Sequence, residues 1–189
     1  MKIVTAPEKY SLCKDNLIDN RPIGIFLAGG ITDCKNWQMT TIEKLSEEFS
    51  DWHHKHAVIL NPRREEFPIN DPHASREQIT WEFKALERCH IFSMYFCASR
   101  SNQPICMYEL GRNLCRMEDK YSRNGNYEYG YSGNWKTACI VSVEDGYSRA
   151  EDVRIQCELA GVQVLMHANP TSHAMAITKA MKDLYGHLG

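Results

Sequence analysis

The sequence has no apolar run near the roughly 20 residues that crossing a bilayer requires, so no membrane-spanning segment is expected. Its opening stretch, MKIVTAPEKYSLCKDN, meets Glu8 and Asp15 too early for a secretory signal, and the expected location is cytoplasmic. Neither sign of charge is in excess. A formal net charge of −2 over 189 residues gives no general attraction to a nucleic acid polymer or an anionic membrane. There is no GxGxxG and no GxxxxGK followed by Ser or Thr, which excludes the dinucleotide fingerprint and the phosphate-cradling P-loop. The eight cysteines, Cys34 and Cys97 among them, contain no CxxC pair. Lying mostly in apolar stretches, they read as reduced structural thiols with no metal or redox role. His53, His54, Lys55 and His56 are consecutive and cannot converge on one ion from a regular element, so they read as a solvated turn. No metal and no cofactor are expected.

What is present is the pattern of an ordinary globular domain. The chain is 43% hydrophobic and 24% charged, and its length suits one domain spanning residues 1–189. Short apolar, β-branched runs lie at Ile23–Ala28, Ala57–Leu60, Ile91–Phe96, Ala138–Val143 and Val162–Met166. Each predicts a strand buried on both faces. Helical periodicity fills the intervals at Trp37–Trp52, Arg76–Cys89, Ile105–Met117, Arg149–Ala160 and Ser172–Leu184. Strictly alternating strands and helices predict an α/β, three-layer, Rossmann-like or flavodoxin-like domain, with a five-stranded parallel sheet and helices on both faces. Residues 1–20 read as an N-terminal extension and 120–136 as an inserted loop, suited to a contact surface or lid.

Sheets of this kind bind ligands beyond the carboxyl ends of their strands. After the first predicted strand come Gly29, Gly30 and Ile31, where glycine lets a ligand approach the backbone or simply permits a tight turn. After the second come Asn61, Pro62, Arg63 and Arg64. The two arginines suit forked recognition of a phosphate, or else pairing with Glu65 and Glu66. In ITWEFKALERCHI, the recurrence of Ile79, Phe83 and Leu86 predicts a buried stripe with Glu82 at its edge. In PICMYELGRNL, Glu109 falls in the first turns of a helix opened by Pro104, where the helix dipole would hold it ionised. Trp37, Trp81 and Tyr108 are candidates for stacking on a base, although aromatics beside such stripes are more often core.

The order AGGITD, NPRRE, QITWE and PICMYELG resembles the nucleoside 2-deoxyribosyltransferase-like family over about residues 23 to 115. The resemblance implies that Glu109 of the ELG motif is a nucleophile and that Glu82 assists the leaving base. It also implies that the AGG glycines and Ile31 line the sugar and base pocket, and that the protein assembles as a homo-oligomer, a dimer or larger. Two positions depart from the family's pattern: Ile25 stands where a tyrosine holds the nucleophile, and Ser101, Asn102 and Gln103 stand where an acidic residue precedes it.

Two carboxyl groups in different protonation states suit the N-glycosidic bond, because its cleavage develops positive charge on the sugar and negative charge on the base. The expected substrate is a small nucleoside or nucleotide. Attack on the glycosyl intermediate by a second base makes a transferase, and attack by water makes a hydrolase. Two alternatives stand beside this reading: an N-glycosidase of nucleoside monophosphates or NAD, and a non-catalytic nucleotide sensor on the same fold.

Overall fold

The computed structural model describes residues 1–12, 22–68, 70–124, 131–132, 135–136 and 138–185. In chain order the elements are β1 (Lys2–Thr5), β2 (Ile23–Gly29), α1 (Trp37–Glu48), α2 (Asp51–His56), β3 (Ala57–Asn61), α3 (Pro72–Arg88) and β4 (Ile91–Phe96). There follow α4 (Pro104–Asn124), β5 (Tyr131–Ser132), β6 (Trp135–Lys136), β7 (Ala138–Val143), α5 (Ala150–Leu159), β8 (Val164–Leu165) and α6 (Pro170–Tyr185).

Six strands form one parallel sheet in the order β1-β3-β2-β4-β7-β8. Alternate residues of β2 explain the layering. Phe26 and Ala28 pack with Trp81, Ala85 and Leu86 of α3, Leu110 of α4 and Val153 of α5. Ile23, Ile25 and Leu27 pack with Trp37 and Leu45 of α1 and Ile177 and Met181 of α6. A period of two on a strand thus feeds two cores, one beneath each helical layer.

Local chemistry starts the helices where it should. Asp71 accepts from the His73 amide at 2.8 Å with Pro72 at the first helical position of α3, and Asn36 accepts from the Met39 amide at 3.2 Å to open α1.

The structure corrects several expectations. The sheet has six strands instead of five, because Lys2–Thr5, inside the expected extension, pairs along β3 from Lys2↔Val58 to Thr5↔Asn61. Only Val4 of that strand is fully buried, so the run is too short and too polar to register as a buried strand. At the opposite edge, β8 is short and Leu165 is exposed. The histidine string is no turn. It is the helix α2, with His53 and His56 buried among Phe49 and Trp52. Of the expected loop 120–136, α4 continues through Asn124, and β5 and β6 form a separate antiparallel pair. Residues 125–130 and 133–134 of that loop, and 13–20 of the expected extension, lie outside the described residues. No helix among the described residues is long and apolar enough to cross a membrane.

Candidate functional site

Chain order reverses direction across the sheet at β2 and β4: β3 lies to one side of β2, and β4, β7 and β8 lie to the other. At such a switch point the connections leave on opposite faces and open a crevice beyond the strand ends. A cavity of about 410 Å³ occupies it. Phe26, Ala28, Gly29, Gly30, Ile31 and Thr32 line it from β2 and the following turn, and Pro62 from beyond β3. Glu82 enters from α3, while Ser101, Gln103, Pro104, Ile105, Cys106 and Glu109 come from the approach to α4 and its first turns.

The glycine pair is required by packing as well as by access. A Cβ on Gly29 (φ 151°) would stand 2.6 Å from Trp37 Cζ2, and one on Gly30 would stand 2.6 Å from Gln103 Oε1. Trp37 is fully buried and donates its indole N–H to the Gly30 carbonyl at 2.9 Å, so it fixes the turn from beneath and is no stacking platform. The opposite rim is held by Gln103, whose backbone adopts φ 49° and whose amide donates to the Cys97 carbonyl at 2.6 Å. A non-glycine residue in the left-handed region persists only where its surroundings over-determine it.

Glu82 and Glu109 face the same cavity from two helices. Burial and then the neighbouring Glu82 carboxylate push the Glu109 carboxyl up to about 8, with Arg112 opposing. Glu82 is also raised by burial, but Gln78, which donates to Glu82 Oε1 at 2.7 Å, and then Arg64 both favour its charged form. Two carboxylates in one low-dielectric pocket cannot both ionise cheaply, so the pair retains a proton near neutral pH. Of the two, Glu109 is the more strongly raised, and the Gln78 bond to Glu82 favours placing the proton on it. This reverses the expectation that the helix dipole keeps Glu109 ionised. Glu109 is the sixth residue of α4, past the first turn where the dipole acts, and desolvation prevails.

Several residues singled out in the sequence lie outside the cavity wall. Asn61 uses its side-chain oxygen to accept from the Arg63 amide at 3.0 Å. The Arg63 guanidinium is spent on the carbonyls of Cys34 and Lys35 and on Gln38 Oε1. It therefore clamps the start of α1. Arg64 pairs with Glu77 at 3.3 Å, not with Glu65 or Glu66, and lies 5.5 Å from the centre of the Phe67 ring. Tyr108 is 71% exposed on the outer side of α4. Trp81 is a core residue whose indole N–H donates to the Glu8 carbonyl at 2.8 Å.

The buried face of α3 is also different from the one expected. Ala74, Gln78, Trp81, Ala85 and Leu86 are buried, whereas Ile79 and Phe83 are 65% and 52% exposed. Both sets obey helical spacing, and of the expected stripe Leu86 alone is turned inward. This rotation brings Gln78 and Glu82, four residues apart, toward the cavity together.

Sequence reasoning misses Gln78, Gln103 and Cys106. Gln78 has a signal, its position one turn before Glu82, and Cys106 likewise precedes Glu109 by three residues. The Cys106 thiol, buried beside both carboxyls, is pushed up to about 12 and stays neutral. The expectation of reduced thiols fails at one pair: Cys34, after the glycine turn, and Cys97, at the end of β4, are joined in a disulfide with a Cα separation of 6.5 Å. Their separation of 63 residues in sequence hides the pairing.

A doubly wound parallel sheet carrying a two-carboxyl pocket at its switch point defines a Rossmann-like domain with the groups for glycosyl chemistry. The sequence profile described as nucleoside 2-deoxyribosyltransferase like matches residues 22–121, more than half of the chain. The matched span begins one residue before β2 and contains every cavity residue named above. The protein belongs to this nucleoside 2-deoxyribosyltransferase-like family, which at the family level means an enzyme of glycosyl transfer. A comparison with curated proteins finds no match.

Proposed function

We propose that this enzyme breaks the N-glycosidic bond of a nucleoside or nucleotide, with Glu109 as the carboxylate that receives the sugar and Glu82 as the group that passes a proton to the base. The observation that carries the reading is the convergence of these two carboxyls, in different states, on one cavity behind a glycine turn.

The chemistry balances with the groups present. As the C1′–N bond breaks, its electron pair goes to the base nitrogen, and the proton held by the pair of carboxyls follows through Glu82. Glu109, now ionised, faces the electron-poor C1′ and forms a carboxylate ester with it. An acceptor then attacks C1′, the ester bond breaks, and the acceptor's proton returns to the pair. A second base as acceptor gives transfer, and water gives hydrolysis. Arg63 is fully engaged elsewhere, which favours recognition of sugar and base over a phosphate held by that residue.

The homo-oligomer implied by the family resemblance is part of the same proposal. Ile79, Phe83, Ile105 and Tyr108, all more than half exposed, sit on the two helices that carry Glu82 and Glu109. Such apolar surface beside a site is suited to a second subunit. Light scattering that gives the mass of one chain at working concentration contradicts this part.

The direct test is incubation with paired nucleosides and free bases, and separately with nucleotides, followed by chromatography. Freed or exchanged base is expected. Saturable binding without any base released contradicts the proposal and favours a sensor.

A further inference from the structure

A second and larger cavity, of about 610 Å³, lies away from the carboxyl pair, between the segment after β1 and the outer side of α3. Pro7, Glu8, Lys9 and Tyr10 form one wall, and His73, Arg76, Glu77, Thr80, Trp81, Lys84 and Arg88 form the other. Arg76, Thr80, Lys84 and Arg88 recur every four residues, which places them in one row along the helix. Each step of four residues rises about 6 Å, so the cationic row is as long as an extended ligand and much longer than one phosphate.

The charge in this groove is not balanced. Of its two acids, Glu77 is taken by Arg64 at 3.3 Å, and Glu8 alone stands against Lys9, Arg76, Lys84 and Arg88. Among the described residues, none of those four cations has an ion-pair partner. A chain with a net charge of −2 has therefore gathered a strongly positive surface in one concave place. A concave wall focuses such a field and raises the local concentration of anions.

The groove also has a rigid aromatic floor. Trp81 donates to the Glu8 carbonyl at 2.8 Å, and the Tyr10 ring meets Trp81 edge to face with centroids 5.5 Å apart. The Tyr10 hydroxyl, enclosed at this junction, has no hydrogen-bond partner. A buried donor left unpaired carries a cost that a bound acceptor, reached by a small shift of the wall, relieves.

We propose that this groove is a second binding site, for a nucleoside di- or triphosphate, distinct from the carboxyl pocket. The phosphates lie along the row of Arg76, Lys84 and Arg88, and the base lies toward Tyr10 and Trp81. The site shares α3 with the first: Lys84 and Arg88 face this groove, while Gln78 and Glu82 face the carboxyl pocket. Occupancy here thus bears on the helix that positions Glu82, which suits control by a nucleotide carrying more phosphates than a substrate needs. The proposal stands without the glycosidic reading, since nothing in it uses Glu109.

Calorimetric titration of the full chain with ATP, tripolyphosphate and adenosine tests it. ATP and tripolyphosphate are expected to bind saturably and to weaken as salt rises, and adenosine to leave this site empty. Arg76→Gln with Lys84→Gln removes two exposed, unpartnered charges, so the fold is expected to survive, and ATP affinity to fall by about tenfold or more. ATP binding to Glu109→Gln is expected to match that of the parent, which separates this groove from the carboxyl pocket. Absence of saturable ATP binding overturns the proposal. So does a loss of less than about threefold in the double variant, or competition of adenosine with ATP on equal terms.

Discussion

Gln78 joins the turn after β3 to the candidate acid: its side-chain amide donates to Glu82 Oε1 at 2.7 Å and to the Pro62 carbonyl at 2.8 Å. The first bond favours the charged form of Glu82 and so leaves the shared proton to Glu109. Replacing Gln78 with Leu removes both bonds. The Glu82 carboxyl is expected to titrate at a clearly higher pH than in the parent, since a bond to a charged group contributes about 1.5–3 kcal/mol. A carbon-labelled NMR titration of the glutamates reads this directly, and an unmoved Glu82 contradicts it.

The raised Glu109 carboxyl makes stability depend on pH with a definite sign. Its ordinary value is 4.5 and its value in the fold is about 8. Below the ordinary value both folded and unfolded chains hold the proton, and nothing is lost. Between the two values the unfolded chain ionises and the folded one does not, so folding stability falls as pH rises through that window. Glu109→Gln removes the effect. Denaturation curves are expected to coincide for variant and parent near pH 4, with the variant a few kcal/mol more stable by pH 8, at about 1.4 kcal/mol for each tenfold change in the proton equilibrium. A difference that does not change with pH contradicts the assignment.

The same carboxyl shapes the pH profile of turnover. The leaving base takes the one proton that the pair retains, so kcat/KM is expected to fall as pH rises through about 8 and that proton is lost from the free enzyme. Glu82 contributes part of that elevation through its charge. In Glu82→Gln the falling limb is expected to move to lower pH even as the rate falls, with reactions of poor leaving bases slowed most. A limb that stays in place shows that the two carboxyls do not interact.

Cys34 and Cys97 close a stretch of 63 residues and tie the glycine turn to the end of β4. In the chain-entropy account a loop of that length is worth about 4 kcal/mol through the unfolded state. Cys34→Ser is expected to lower the melting temperature by several degrees under oxidising conditions and to leave it unchanged relative to the parent once both are reduced. Equal melting of oxidised and reduced parent contradicts a bond between these residues.

Much of the fold was legible because β2, β3, β4 and β7 are apolar runs buried between two helical layers, and such runs have no other use in a chain of this composition. The edge strand β1 was not legible, because Val4 alone is fully buried there and the pairing with β3 supplies what the sequence does not. At the site, Glu82, Glu109 and the glycine turn could be read from motif order. Their electrostatics could not. The state of Glu109 depends on a carboxylate 27 positions earlier in the chain and on how deeply α4 seats it. The face of α3 misled for a related reason: Ile79 and Phe83 match a buried stripe as well as Gln78 and Trp81 do, and only the packing of Trp81 against β2 decides between them. Arg63 and Arg64 show the limit of composition, since their partners Cys34, Lys35, Gln38 and Glu77 come from other elements.

The turnover of Glu109→Gln, measured on a released or exchanged base at the pH optimum of the parent, tests the role of this carboxylate most directly. Glutamine keeps the size of the side chain and removes the charge, and the pocket is expected to stay folded. A nucleophile lost in this way is expected to lower the rate by several orders of magnitude, more than about 4 kcal/mol in barrier. Retention of more than about a tenth of the parental rate, a change under about 1.4 kcal/mol, contradicts a catalytic role for Glu109.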